Sequence, residues 1–385
     1  MILVFILTYS TYSITQLIGI FRANKKENFD TNSNTNKFNL NSISLIIPFR
    51  NESKRINELI TSLKNSHELP LEILFINDHS SDDSVSKIES NLKDYNINHK
   101  VIHLPENKKG KKDAIRFGIK NTSINSTFIL TFDSDISFNK IYFNNLKNLP
   151  IKDLYIFPVR MEGNGLLESI FSLDYNLLNI INRISFGYKR PILASGANLL
   201  FNKDLFSKID SIQSHKHIAS GDDMFLLKDF IHNKAIIHLS NNKNNLVKTS
   251  SPSTIKSFFQ QRARWISKNK SINDKLSHQM FFFNSIVILL FYFTTINSIV
   301  KNEWITCIYI LVFKNLLDFL VISNSDIKLS RTESIILPLY TIIQPFYYLA
   351  VWITPFLYDL KWKGRDIKKA NQNEKPFIKI LFFIF

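Results

Sequence analysis

Between Ser42 and about Lys270 the chain alternates short apolar runs with amphipathic stretches, and no other feature restricts its fold as much. Ser44-Leu-Ile-Ile-Pro48 reads as a buried strand, after which Ile56, Leu59, Ile60 and Leu63 recur at helical spacing. Leu71-Glu-Ile-Leu-Phe-Ile76 is a second strand. Val85, Ile88 and Leu92 then mark a helix, with Asp82 and Asp83 expected in its first turn, where the helix dipole favours acids. A strand over Lys100–Leu104, a helix over Lys111–Lys120 and a strand over Thr127–Phe132 extend the series. This order predicts an α/β fold, Rossmann-like, with a mostly parallel sheet and helices on both faces. In such sheets ligands bind beyond the carboxyl ends of the strands. Polar residues do follow them: Pro48-Phe-Arg-Asn-Glu52, then Asn77-Asp-His-Ser-Ser-Asp82, then Asp133-Ser-Asp135.

Both ends of the chain are apolar. Met1–Phe21 has no basic residue before its apolar run and no small-residue cleavage site, which predicts an anchor helix over 1–22 and not a removed leader. Arg22, Lys25 and Lys26 follow, and by the positive-inside rule they place the next residues in the cytoplasm. The Asn-rich stretch 23–41 reads as a linker into a globular unit over 42–275. Beyond it, Met280–Val300 and Trp304–Ile322 are of spanning length and predict a membrane hairpin over 279–323. Lys314 and Asp318, four residues apart, can pair on one helix face there. Segment 333–358 is apolar but holds Pro338, Pro345 and Pro355. A full span would put the basic run 361–365 outside, so of the two readings, a span or a broken, re-entrant or interfacial segment, the second is the one expected. A basic tail, 359–385, follows. The chain thus reads as an integral protein of the cell membrane with transmembrane helices at both ends and a cytoplasmic globular unit.

The formal net charge of +16 calls for an anionic partner: nucleic acid, phosphorylated ligand or lipid headgroup. The basic residues are spread over linker, loops and tail. That distribution suits a membrane surface and predicts no nucleic-acid groove. The single cysteine, Cys307, lies in an apolar run, which excludes a disulfide framework and a Cys-based zinc site. The P-loop spacing and a G-x-G-x-x-G after the first strand are both absent.

Five short motifs carry chemistry. Asp133-Ser-Asp135 offers two carboxylates at a strand end, suited to one Mg²⁺ or Mn²⁺ held jointly with phosphate oxygens. The plainer alternative is a solvated turn. Gly221-Asp-Asp223 opens a helical pattern and supplies either a general base or a helix cap. In Gln261-Arg-Ala-Arg-Trp265, on a helix expected from near Ser253, Gln261, Arg264 and Trp265 share a face. Arg264 suits phosphate oxygens and Trp265 suits a ring, although a basic amphipathic helix lying on the membrane has the same pattern. Asn107-Lys-Lys-Gly-Lys-Lys-Asp113 is either an anion-binding loop or a solvated charge run. Ala194-Ser-Gly-Ala-Asn198 is either a close-approach turn or an ordinary one.

Taken in order, these pieces resemble the processive-type family 2 glycosyltransferases of GT-A fold, a group that includes ceramide glucosyltransferase-like enzymes and the cellulose and hyaluronan synthases. The resemblance covers roughly residues 42–270, and the ordered set of a D, a D-x-D, an acidic pair and Q-x-x-R-W is specific where each piece alone is not. It implies that Pro48 and Glu52 meet the nucleotide, that Asp78 contacts uracil and that Lys111 is the donor-loop lysine. It implies a divalent metal on Asp133 and Asp135, with Asp133 also facing the donor. Gly196 and Asn198 fall on the acceptor side. Asp223, with Asp222 beside it, supplies the general base. Gln261, Arg264 and Trp265 hold the diphosphate and line the acceptor channel. Asp222 stands where the family more often has Glu, which leaves the choice between the two aspartates open.

The function implied is inverting transfer from a nucleotide sugar, with UDP expected, to a lipid or membrane-proximal glycan acceptor. The short globular unit and the few C-terminal spans argue against a long polymer channel. A nucleotidyltransferase shares the α/β framework and an acidic metal site but needs neither Q-x-x-R-W nor a second acidic pair. A non-catalytic basic membrane scaffold explains the charge and the helices but not the acids that recur after successive strands.

Overall fold

The computed structural model describes residues 1–31, 36–209, 221–272, 274–357, 361–362 and 365–366. Most of the expected basic tail 359–385 lies outside them. Helix α1 (Ile2–Thr31) opens the chain. Strands β1 (Ile43–Phe49), β2 (Glu72–Asn77), β3 (His99–His103) and β4 (Phe128–Phe132) come next, and β5 (Ile136–Phe138), β6 (Leu154–Ile156) and β7 (Val159–Glu162) follow. Then come β8 (Asn198–Asn202), β9 (Ile237–Leu239) and β10 (Val247–Ser250), and near the C-terminus a two-stranded antiparallel pair, β11 (Lys361–Trp362) and β12 (Arg365–Asp366). Seven strands form one sheet in the order β3-β2-β1-β4-β8-β6-β9, and β5-β10-β7 form a small second sheet. In the large sheet only β8 runs against its neighbours. Every residue of β1, β2 and β4 is buried, as a sheet covered on both faces requires. Pro48 is tolerated in the central β1 because the ladder to β4 ends at Ile46.

Crossover helices α2 (Ile56–Lys64), α3 (Ser84–Leu92) and α4 (Lys111–Lys120) follow β1, β2 and β3. They stand where the apolar spacing predicts. Asp82 and Asp83 are a correction: they precede α3, whose first turn holds no acid. Asp82 instead spans two loops, accepting from the Ser53 backbone N–H at 3.0 Å and from the Ser84 hydroxyl at 2.5 Å.

The remaining helices are α5 (Tyr142–Leu146), α6 (Leu166–Tyr188), α7 (Lys203–Ile209), α8 (Asp222–His232), α9 (Ile255–Ile272), α10 (Lys275–Val300), α11 (Trp304–Asn324) and α12 (Arg331–Leu357). Among the described residues four segments are long and apolar enough to cross a bilayer: Ile2–Asn28, Lys275–Val300, Trp304–Asn324 and Arg331–Val351. The expected Lys314–Asp318 pair is formed within α11, and the Tyr9 hydroxyl of α1 donates to the same carboxylate.

Two segments are more continuously helical than the sequence suggests. The linker assigned to 23–41 is helical up to Thr31, and its first turns dock on the globular unit. Lys26 Nζ donates to the Phe186 carbonyl at 2.6 Å, and Glu27 pairs with Arg183 at 2.6 Å. The helices α1 and α6 cross so tightly that a Cβ on Gly187 would lie 1.8 Å from the Gly19 carbonyl oxygen. The segment expected to be broken by proline is one helix, α12. Pro345 brings no N–H to the Thr341 carbonyl four residues earlier. The Tyr292 hydroxyl of α10 donates to that carbonyl instead, so the freed group is satisfied within the helix bundle.

Candidate active site

The carboxyl ends of the strands open into a cavity of about 1520 Å³. Pro48 and Glu52 from the β1 loop, Asp78 from the β2 loop and Lys111 from the start of α4 line it. So do Asp133 and Asp135 after β4, Gly196 before β8, Asp222 and Asp223 at the start of α8, and Gln261, Arg264 and Trp265 of α9. All but one of the residues singled out in the sequence therefore meet in one space. The exception is Asn198, fully buried on β8. It accepts from the Tyr142 hydroxyl at 2.5 Å and donates to the Pro158 and Asn245 carbonyls at 2.9 and 2.8 Å. Its amide holds the two sheets together and does not line the cavity, which corrects its acceptor-side assignment.

Local geometry accounts for each placement. Gly110, at φ 96°, takes a left-handed conformation that turns the chain into α4, and its N–H donates to Asp78 Oδ2 at 3.1 Å. Gly221, at φ 92°, does the same ahead of α8. Asp222 and Asp223 therefore occupy the first two positions of that helix, where the backbone dipole favours negative charge. Neither is the residue at the cap position. The Asp223 carboxylate is oriented by the Met224 N–H at 2.8 Å and the Gly196 N–H at 3.2 Å.

Lys111 connects the two acidic motifs. Its Nζ lies 2.5 Å from Asp133 Oδ1 and 3.9 Å from Asp222 Oδ2. Burial opposes its charge, but the carboxylates of Asp133, Asp222 and Asp223 outweigh burial and raise its pKa, so it remains a cation. A Cβ on Gly196 would stand 3.0 Å from this Nζ and 3.2 Å from Asp222 Oδ2, so the absent side chain makes room for the contact. Burial would likewise raise the Asp82 carboxyl, but hydrogen bonds from Ser84 and Ser53 hold it at about 2. The β1 and β2 loops are thus tied by a permanent anion. Burial pushes the Tyr175 phenol of the cavity wall up to about 12, so it is neutral near pH 7 and does not compete for the role of base.

The structure adds cavity residues that the sequence reading passed over. Arg55 pairs with Glu52 at 2.7 Å and with Asp135 at 2.8 Å. Its position three residues after Glu52 is a helical spacing that could have marked it. Arg50 donates to the Asp78 carbonyl at 2.8 Å and braces the β2 loop. Asp174 of α6 and Arg262 of α9 form an ion pair at 2.6 Å with both side chains 4 % exposed. Nothing local in the sequence pairs them.

A mostly parallel sheet with acids and cations gathered beyond its strand ends matches the GT-A architecture. The profile of the glycosyl transferase family group 2 matches residues 128–358, and that of glycosyl transferase family 2 matches residues 44–209. The chain belongs to family 2 and is a glycosyltransferase. No curated protein matches it by sequence. Its fold is similar to that of the mannosyltransferase PcManGT from Pyrobaculum calidifontis in complex with GDP-Man and Mn2+. The TM-score is 0.53 at 13 % identity, over 94 % of this chain and 100 % of that one. S. aureus TarS 1-349 in complex with UDP-GlcNAc aligns with a TM-score of 0.40 at 17 % identity, over 87 % and 98 %. The glucosyl-3-phosphoglycerate synthase from Mycobacterium tuberculosis aligns at 0.39 and 16 %, over 61 % and 81 %.

Proposed function

We propose that this glycosyltransferase moves a sugar from a nucleoside-diphosphate sugar, with UDP as the expected carrier, to a lipid or membrane-proximal glycan acceptor, inverting the anomeric configuration. One observation carries the reading: the cavity that holds the strand-end acids is continuous with the helices of the membrane region. Phe281, Ile288 and Leu289 of α10 and Leu349 and Val351 of α12 line it together with Asp133 and Asp223. An acceptor with an apolar tail and a hydroxyl head fits that change of character along one space. Arg22, Lys25 and Lys26 at the end of the first apolar run support a cytoplasmic globular unit.

Asp133 and Asp135 fit a divalent ion. Both are hard oxygen donors on the cavity wall, and each is held by a side-chain cation, Lys111 or Arg55. Among the described residues no group of three or more protein ligands forms. The remaining positions would fall to diphosphate and water oxygens, as Mg²⁺ and Mn²⁺ accept. Such an ion would supply positive charge to the leaving diphosphate.

The chain's own residues do the rest. Asp78 and the β1 loop seat the nucleotide. Asp223, its carboxylate oriented by two backbone N–H groups, takes the proton from the acceptor hydroxyl. The hydroxyl oxygen forms its bond to the anomeric carbon from the face opposite the diphosphate, and the bond to the diphosphate oxygen breaks. Lys111 and Arg264 offset the charge that develops on the departing group. Trp265 and Tyr175 present ring faces to the acceptor side.

The test is nucleotide release by detergent-solubilised protein from a panel of UDP-sugars and GDP-mannose, with and without Mn²⁺ or Mg²⁺, and with a lipid extract as acceptor. Metal-dependent release that disappears in Asp135→Ala supports the reading and names the donor. Turnover of a nucleoside triphosphate, or release that ignores both metal and lipid, overturns it.

A further inference from the structure

Helix α12 does more than fill the membrane region. Glu333, Tyr340 and Tyr347 recur at seven-residue intervals, two helical turns apart, so they share one face. All three bond to α6. Glu333 Oε1 accepts from the Ser172 hydroxyl at 2.5 Å and the Asn176 amide at 2.9 Å. Its Oε2 pairs with Arg160 at 3.1 Å and accepts the Ser330 N–H at 2.6 Å, closing a capping box at the start of α12. The Tyr340 hydroxyl donates to Asp174 Oδ1 at 2.7 Å, and the Tyr347 hydroxyl donates to Asp174 Oδ2 at 2.9 Å. Each oxygen of a buried carboxylate is thereby held by a hydroxyl from α12.

Asp174 passes this constraint on. Its Oδ2 lies 2.6 Å from Arg262 Nη2. The Arg262 guanidinium lies over the Phe258 ring at 4.8 Å and the Trp265 ring at 4.3 Å. The planar cation thus fixes the indole as well as the carboxylate. Trp265 faces the cavity beside Tyr175, with ring centroids 5.8 Å apart. We infer that α12 positions the acceptor side of the active site through the chain Tyr340/Tyr347–Asp174–Arg262–Trp265, so that this membrane helix is part of the catalytic apparatus and not only an anchor. The four linking residues are positioning residues, which act on transfer through Trp265. The inference rests on the proposed function for its effect on turnover, but its geometry can be tested without turnover.

Trp265 is one of four tryptophans in the chain, so Trp304→Phe, Trp352→Phe and Trp362→Phe leave it the sole indole emitter. In that background the double variant Tyr340→Phe/Tyr347→Phe removes two hydroxyls with little change in volume. The expected result is a shift in Trp265 emission, stronger acrylamide quenching, and a kcat lower by on the order of tenfold to a hundredfold with the donor's KM unchanged. Arg262→Lys keeps the charge but loses the planar stack, and is expected to give the same kcat loss. An unchanged Trp265 signal overturns the inference, even with a lowered Tm, because it leaves only a structural role. A changed signal with unchanged kcat also overturns it. A changed signal in a protein whose unsubstituted form transfers no sugar from any donor would count against the proposed function and leave the positioning geometry standing.

Discussion

The side of the cavity proposed for the donor (the donor side) and the side lined by the long apolar helices (the membrane side) are built differently. On the side assigned to the donor, the acids stand within a few residues of a strand end. Asp78 follows β2, Asp133 and Asp135 follow β4, and Lys111 opens the helix after β3. A parallel sheet brings such residues together by topology alone. On the membrane side the groups come from segments far apart in the chain: Asp174 meets Arg262, Tyr340 and Tyr347, and Glu333 meets Arg160 and Ser172. The donor side is a set of short loops tied by hydrogen bonds, and the membrane side is a set of buried charges locked between helices. Chemistry is therefore expected to fail first on one side and stability on the other.

The largest effect that sharpens this contrast is at the boundary between the two. Asp223→Asn is expected to lower kcat by about 10²–10⁴-fold while nucleotide affinity and Tm hold, because in the proposed mechanism only the proton acceptor is lost. Steady-state kinetics beside a nucleotide titration checks it. A larger loss in Asp222→Asn than in Asp223→Asn would reassign the base to the neighbour of Lys111. Loss of nucleotide binding in Asp223→Asn would place that residue on the donor side.

Next comes Glu333→Ala, which leaves Arg160 without a buried partner that is 2 % exposed. Breaking such a pair costs about 3–5 kcal/mol, so a strong fall in Tm is expected in detergent. As a reference away from the cavity, Lys147→Ala removes an exposed bridge to Glu68 and should cost roughly 0–1 kcal/mol. Equal losses in thermal unfolding would erase the distinction. A smaller effect is expected at the α1–α6 crossing. Gly187→Ala forces apart helices that touch through backbone, at a cost of about 1–3 kcal/mol. If Tm holds there, the N-terminal helix is not docked as described.

The same contrast explains what could be read from the sequence. The first four strands and their crossover helices follow from periodicity, the acids after β2 and β4 follow from the rule that ligands sit at strand ends, and the other cavity positions were marked by the family resemblance; all twelve assigned positions other than Asn198 line the cavity. Asp78 and Asp135 needed only their local neighbours to be found. Asn198 was misread because G-x-N looks like a ligand turn, whereas its amide is spent on Tyr142, Pro158 and Asn245, partners remote in sequence. Arg262 was passed over because a motif that names Gln, Arg and Trp gives no hint that an intervening residue anchors the helix. The extent of α1 and the continuity of α12 were hidden for one reason. Polar or proline-bearing stretches stay helical when a distant group satisfies them, here Arg183 for Glu27 and Tyr292 for the Thr341 carbonyl.

The smallest expected effect tests the divalent ion proposed for Asp133 and Asp135. Arg55 bridges Asp135 and Glu52, and its side chain is 48 % exposed. A divalent ion that takes Asp135 Oδ2 would compete with this guanidinium. Because a half-exposed bridge contributes only about 0–1 kcal/mol, the competition weakens ion binding by at most about fivefold. Arg55→Gln is therefore expected to tighten Mn²⁺ binding up to about fivefold in a titration without nucleotide. Nucleotide itself brings phosphate oxygens to the ion, so the gain should shrink when the diphosphate is present. Weaker Mn²⁺ binding in the variant would mean that Arg55 holds Asp135 in a binding geometry and does not compete for it. The donor side would then depend on a fixed charge lattice as the membrane side does, and the contrast between the two halves would narrow to Asp174 and its partners.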